Sequence, residues 1–223
     1  MDIEHASPSA ASRAQATMQF LLRLRERGIA QTGVLRALET IPREDFVPHR
    51  HTDLAWRDMA LPIACGQTMP EPYLVARMVE ALGVQPGHRV LEIGTGNGYS
   101  AAILSRLARE VVTVERFRTL ASAAAIRFTA LGLENVRVIF ADGLALDGEI
   151  GLFDRILVQG VVANLPASLL ARLAEGGVVV FGEAGEGTGV ASIMRLVHGS
   201  GGLMRERISS GRLQALIAGV SGA

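Results

Sequence analysis

The sequence is short of several things, and each shortage excludes something. One cysteine, Cys65, stands in 223 residues, so no internal disulfide can form and a reducing compartment is expected. Neither sign of charge is in excess: 22 basic and 22 acidic side chains cancel to a formal +0. The basic residues are mostly arginine and lie scattered. A polyanion partner needs a basic stripe to neutralise phosphates, so no nucleic-acid partner is expected. No run of about 18 apolar residues occurs, which removes a helical membrane span and a membrane partner. Asp2 and Glu4 mark an N-terminal end with no apolar stretch before a cleavage site, so no signal peptide is expected and the cytoplasm is the expected location. His49, His51 and Asp53 form an H-x-H-x-D spacing without further ligands. That reads as a solvated loop, so no metal is expected. No internal repeat or low-complexity tract is present.

What is present is apolar residues, 49% of the chain, enough for one generous domain with a large core. Residues 1 to about 11 are Ser/Ala/Pro-flavoured and expected to be loose. Helical spacing follows from Ala14 to Arg27 and from Thr32 to Thr40. The stretch from Pro42 to Pro72 holds five prolines and reads as irregular. It is long for a structureless connection, and long loops in compact domains tend to be functional. Trp56 within it reads as an anchor on the core. A helix from Tyr73 to Leu82 is entered through Pro72.

Beyond Pro86-Gly87 strands and helices alternate. Strands are expected at Arg89–Ile93, Val111–Glu115, Val136–Phe140, Phe153–Val158 and Val178–Phe181. Helices are expected at Ser100–Ala108, Arg118–Leu131 and Asn164–Glu175. The strands are continuous apolar runs, the mark of a mostly parallel, doubly wound α/β sheet covered on both faces. Two more strand-like segments, Ala191–Val197 and Leu213–Ala218, flank a charged stretch, Arg205-Glu206-Arg207, that reads as an exposed strand face. The expected division is an N-terminal helical extension with a substrate-side loop, 1–84, packed on a core, 85–223, as one compact unit.

Ligands of such sheets bind at the carboxyl ends of the strands. The first crossover reads Glu92-Ile93-Gly94-Thr95-Gly96-Asn97-Gly98-Tyr99. Its glycines let backbone approach a ligand without a Cβ in the way. A dinucleotide site wants G-x-G-x-x-G, and its third glycine would fall on Tyr99. S-adenosylmethionine carries a sulfonium, an ammonium and a carboxylate but no phosphate, so its site tolerates an acid such as Glu92. Glu115, at the tip of the second strand, can accept from both ribose hydroxyls. Asp142, at the tip of the third, can accept from the adenine amino group, with Gly143 letting the ring lie close. A lone glycine loop is usually a plain turn and a lone strand-end acid a solvated cap. Three such features in order at successive strand tips point to a Rossmann-like S-adenosylmethionine-dependent methyltransferase fold. Glu92 has the weaker claim, since it can instead cap loop amides.

From about Gln19 to Gly202 the chain resembles the protein-L-isoaspartate O-methyltransferases. The likeness rests on Ile41-Pro42-Arg43-Glu44-Asp45-Phe46-Val47, Leu61-Pro62-Ile63, Gly66-Gln67-Thr68, Pro72-Tyr73-Leu74-Val75-Ala76-Arg77-Met78 and the glycine loop. Gly-Gln-Thr is the specific part, because the glycine loop is common to many methyltransferases. The resemblance implies methylation of the free carboxylate of isoaspartyl residues in peptides or proteins, a repair reaction, with S-adenosyl-L-homocysteine as product. It places Gln67 and Thr68 between cofactor and substrate. It places Glu92, Gly94, Thr95, Gly96, Gly98, Glu115, Asp142 and Gly143 around the cofactor.

Three positions depart from the family pattern, all on the substrate side. The family's active-site serine is Pro70 here, with neither hydroxyl nor N–H, so no catalytic residue is assigned. Its Thr-Ala-Ala-Pro after the fourth strand is Gln159-Gly160-Val161-Val162. Its Phe-Val-Pro-Leu tail is Leu213-Gln214-Ala215-Leu216. Two other readings therefore stand beside isoaspartyl methylation: a methyltransferase with a different acceptor, and a non-catalytic protein that binds S-adenosylmethionine.

Overall fold

The computed structural model describes residues 10–146, 150–185, 189–199 and 201–223. Of the N-terminal segment expected to be loose, residues 1–9 lie outside this range, while Ala10 and Ala11 begin the first helix.

That helix, α1 (Ala10–Glu26), starts earlier than its apolar spacing suggests. The second, α2 (Thr32–Thr40), buries Val34, Leu35, Ala37 and Leu38, a stripe at i, i+3, i+4 spacing. Its entry is fixed by Glu80, whose Oε1 accepts from the backbone N–H groups of Ala30 (2.7 Å) and Gln31 (2.8 Å). The proline-rich stretch that follows is more ordered than expected. It holds 3-10 turns at Arg43–Phe46, His49–Leu54 and Ala64–Gly66. It also holds a small antiparallel pair, β1 (Leu61–Pro62) with β2 (Thr68–Met69). This stretch, the strap, leads into α3 (Pro72–Leu82), which ends on Gly83 in the left-handed region at φ 62°, a turn glycine adopts without a Cβ penalty.

The remaining elements are β3 (Arg89–Ile93), α4 (Tyr99–Ser105), β4 (Glu110–Glu115), α5 (Arg118–Ala130), β5 (Val136–Phe140), β6 (Phe153–Val162), α6 (Ala167–Leu170), β7 (Leu173–Glu183), β8 (Ala191–Gly199) and β9 (Gly202–Gly211). They build a seven-stranded sheet in the order β5-β4-β3-β6-β7-β8-β9. Pairing is parallel from β5 to β7 and antiparallel beyond. The chain steps outward from β3 to β4 and β5, then returns to β6 on the other side of β3. The strand order thus reverses between β3 and β6, which opens a crevice at their carboxyl ends.

Alternate residues of the strands feed two cores. Val90, Val111 and Leu157 pack with the N-terminal helices and α3 to α5. Leu91, Ile93, Val112, Ile156 and Val158 pack on the opposite face with Leu146, Leu169 and Leu173. Burial on both faces explains why these strands are continuously apolar.

Two expected elements are corrected. The helix at Asn164–Glu175 shrinks to Ala167–Leu170, because Leu173 pairs with Phe153 and the Phe153 N–H donates to Arg172 O at 2.8 Å. β7 therefore begins before Gly176-Gly177 instead of after it. Leu213–Ala218 is not a strand. Its ladder is a single bridge between Val161 and Ala215, and the segment runs across the carboxyl ends of the strands. The charged stretch is the real strand, β9, where Arg195 of β8 meets Glu206 at 2.6 Å.

Candidate functional site

The crevice opens into a cavity of about 570 Å³, within the range of small-molecule sites. Four strand tips contribute its walls: Ile93–Asn97 after β3, Val114–Phe117 at β4, Asp142–Leu144 after β5, and Gln159 near the end of β6. The strap supplies Ile63 and Gln67–Pro70, and the tail supplies Arg212–Ile217.

The glycine loop bends where its φ angles demand glycine: Gly94 at 91°, Gly96 at 54° and Gly98 at 91°. The three do different work. Gly94 and Gly96 line the cavity, and a Cβ there would lie 3.4 Å from Gln159 O and 3.4 Å from Ile63 Cδ1. Gly98 does not line it. It precedes α4, and a Cβ would meet the Phe128 ring at 2.7 Å. Gly98 is therefore a packing glycine, a correction to the expectation that it faces a ligand.

Glu92 is corrected in the same way. It is fully buried and absent from the cavity wall. Its carboxylate accepts from Ser100 Oγ on α4 and, at 2.6 Å, from Thr113 Oγ1 on β4. With its proton on Glu92, Thr113 accepts in turn from Thr95 Oγ1 at 2.6 Å. Glu92 thus braces the loop from behind, and no loop amide reaches it among the described contacts. Burial pushes its pKa from an ordinary 4.5 up to about 7, against the lowering effect of the two hydroxyls.

Glu115 and Asp142 stand in the cavity wall. Glu115 is nearly buried and held by two backbone N–H groups, Gly96 to Oε2 (2.8 Å) and Phe117 to Oε1 (2.9 Å). Each oxygen keeps a lone pair for a further donor. Asp142 accepts from Leu144 N at 2.9 Å and from Gly219 N, in the tail, at 2.6 Å. Gly143 lines the cavity, but its missing side chain makes room for Ile93 Cγ2, which a Cβ would approach to 2.4 Å. Thr95 lines the cavity while its hydroxyl faces Thr113.

Gln67, Thr68 and Pro70 line the same cavity as these carboxylates. Gln67 Nε2 donates to Cys65 O at 3.1 Å, across a turn where Cys65 itself takes a left-handed φ of 56°. The tail fastens this corner: Thr68 N donates to Gln214 Oε1 (2.8 Å) and Gln214 Nε2 donates to Gly66 O (3.1 Å). Pro70 is held by its carbonyl, which accepts from Arg43 Nη2 at 3.1 Å. The same guanidinium donates to Ala55 O, Arg57 O and Met59 O. Arg43 is wholly buried, and desolvation lowers its pKa from the usual guanidinium range to about 10. Trp56 is the anchor expected of it, edge-on to Phe20 and donating Nε1–H to Glu44 at 2.8 Å.

Sequence reasoning gave Tyr99 no role beyond closing the glycine loop, yet it lines the cavity. The tail stretch Leu213–Leu216 stood out only as a departure from a family pattern, yet it lines the cavity together with Arg212 and Ile217. Gln159 stood out only as a departure from a family pattern, yet it lines the cavity beside Gly94.

The donor set suits a phosphate-free nucleoside. Two carboxylates with free lone pairs, a glycine backbone and apolar walls from Ile93, Val114, Phe117 and Leu144 line one space. Such walls and acceptors match a base, a ribose diol and an aliphatic chain.

The family model for protein-L-isoaspartate(D-aspartate) O-methyltransferase (PCMT) matches residues 15–198. The chain is 49% identical over 204 residues to protein-L-isoaspartate O-methyltransferase 2 of Rhodopseudomonas palustris (strain HaA2), covering 92% of this chain and 94% of that protein. Identity to the protein-L-isoaspartate O-methyltransferase of Nitrobacter winogradskyi is 44% at the same coverage. Among solved structures, one protein-L-isoaspartate O-methyltransferase superposes with a TM-score of 0.80 at 27% identity, over 89% of this chain and 65% of that one. A Plasmodium falciparum chain assigned to the same enzyme class, solved with S-adenosyl-L-homocysteine, shares the fold at a TM-score of 0.76 and 21% identity.

Proposed function

The chain belongs to the protein-L-isoaspartate(D-aspartate) O-methyltransferase family, and from that premise we propose that it methylates the free α-carboxylate of L-isoaspartyl residues in peptides and proteins. It is an S-adenosylmethionine-dependent methyltransferase. The observation that carries the acceptor is the strap: Gln67, Thr68 and Pro70 line the same cavity as Gly94, Gly96, Glu115 and Asp142.

When bound, S-adenosylmethionine supplies a methyl group on a sulfonium, which a carboxylate oxygen takes directly to leave a methyl ester and neutral S-adenosylhomocysteine. Gly94 and Gly96 offer backbone unshielded by side chains. Glu115 accepts from the ribose hydroxyls and Asp142 from the adenine amino group. Their acceptor geometry is set in advance by the amides of Gly96, Phe117, Leu144 and Gly219, so little ordering remains to be done on binding. Gln67, Thr68 and Pro70 form the substrate-side wall. No residue of the chain has to move a proton, because a carboxyl group of pKa about 3.9 is already ionised at neutral pH. That is why Pro70 in place of a serine is compatible with the reaction. What the protein supplies is alignment and exclusion of water.

Methyl-labelled S-adenosylmethionine, an isoaspartyl peptide and its aspartyl twin test this reading. A base-labile methyl ester on the isoaspartyl peptide alone is expected. No transfer to it, despite measurable binding of S-adenosylhomocysteine, overturns the acceptor and leaves a methyltransferase for another one.

A further inference from the structure

Gln159 sits where β6 leaves its ladder. Val158 pairs with Phe181 and Val161 with Gly182, so Gln159 and Gly160 are extra residues in a β-bulge. Bulges beside active sites re-aim side chains. This one is wedged in place: a Cβ on Gly94 would lie 3.4 Å from Gln159 O, and a Cβ on Gly160 only 2.5 Å from Leu216. The tail stitches it down, with Val161 N donating to Gln214 O (2.8 Å) and Leu216 N to Val161 O (2.9 Å).

Into this fixed corner the chain puts a primary amide. Gln159 lines the cavity, and both its Oε1 and its Nε2 are buried with no hydrogen-bond partner among the described residues. An unpaired buried amide is costly, and folded proteins rarely keep one without a use for it. A carboxamide is one donor site and one acceptor site on a single plane, so its natural complement carries an acceptor and a donor close together. An L-isoaspartyl residue has that pair: its free α-carboxylate and its peptide N–H share one carbon. In an ordinary aspartyl residue the free carboxylate lies one methylene further from the N–H.

We propose that Gln159 is a specificity-determining residue that grips the isoaspartyl substrate, Nε2–H donating to the α-carboxylate and Oε1 accepting from the adjacent peptide N–H. This rests on the isoaspartyl reading given above. The methionine end of the cofactor presents a carboxylate and an ammonium on one carbon, the same chemistry. The stitching favours the substrate: Gln214, whose carbonyl holds the bulge at Val161 N, also holds the strap, its side chain accepting from Thr68 N and donating to Gly66 O.

Three proteins separate the possibilities: wild type, Gln159→Met, which keeps length and loses both hydrogen-bonding atoms, and Gln159→Glu, which keeps the acceptor and replaces the donor with a charge. Steady-state methylation of an isoaspartyl peptide is measured beside calorimetric binding of S-adenosylhomocysteine. In Gln159→Met the peptide KM is expected to rise about 10- to 100-fold, the effect of losing a hydrogen bond to a charged group, with the Kd for S-adenosylhomocysteine moving less than twofold. Gln159→Glu is expected to show a larger rise at pH 8 that shrinks toward pH 6, as a protonated carboxyl regains the donor. An unchanged peptide KM in both variants overturns the proposal, and so does a Kd that weakens in step with KM. If one variant fails to fold, the other still decides. Failure of the acceptor reading itself is seen separately, as inactivity of the wild type on the isoaspartyl peptide.

Discussion

Glu92 shows at the scale of one residue how a family signature can be structural. Its position before the glycine loop suggests a ligand contact, yet the side chain turns to Ser100 and Thr113 and is closed off from the cavity. Nothing local in sequence separates the two outcomes, because both partners lie on other elements. The burial has a measurable sign. With a folded pKa near 7 against an ordinary 4.5, the native state holds a proton that the unfolded chain releases between those values. The contribution is fully stabilising below about 4.5 and is lost as pH rises through about 7. Wild type is therefore expected to lose on the order of 2 kcal/mol between pH 5 and pH 8 relative to Glu92→Gln, whose side chain does not titrate. Urea denaturation of both proteins at the two pH values checks this; parallel stabilities would remove the assignment.

Among the elements, the glycine loop and the first three strands of the main sheet were legible because their signals are local: continuous apolar runs, glycines at forced turns and acids at strand tips. β3 and β5 match their expected limits. What was not legible depends on pairing between distant segments. Asn164–Glu175 has the composition of a helix, but Phe153 recruits Leu173 into β7. Leu213–Ala218 has the composition of a strand, but a single bridge to Val161 makes it a cavity wall. The loop itself divides by function. Gly98→Ala would force a Cβ into the Phe128 ring at φ 91°, combining overpacking with left-handed strain. A loss of roughly 2–4 kcal/mol is expected, read as a lower denaturation midpoint. A Gly98→Ala protein as stable as wild type would refute the packing role.

At the scale of the whole molecule, binding at the strand tips couples to the stability of the entire fold. S-adenosylhomocysteine at about 100 times its Kd adds about 2.7 kcal/mol to the native state, which for a chain of this size is a rise in Tm of about 5 to 10 °C. On the proposed reading Glu115→Gln sets an amide donor against a ribose hydroxyl that also donates, and at the same ligand concentration most of that rise is expected to vanish. An undiminished shift would place the ribose elsewhere. The strap has its own all-or-none character, set by Arg43. Four carbonyls, at Ala55, Arg57, Met59 and Pro70, converge on one guanidinium with no carboxylate among them. Arg43→Met would release all of them together, at a cost of about 3 kcal/mol or more. The peptide bond after Arg57, whose carbonyl is one of the four, would then become the first place trypsin cuts the native protein. Four carbonyls of the strap thus hang from a single cation, and the protein's resistance to digestion is a gauge of how firmly that cation is seated.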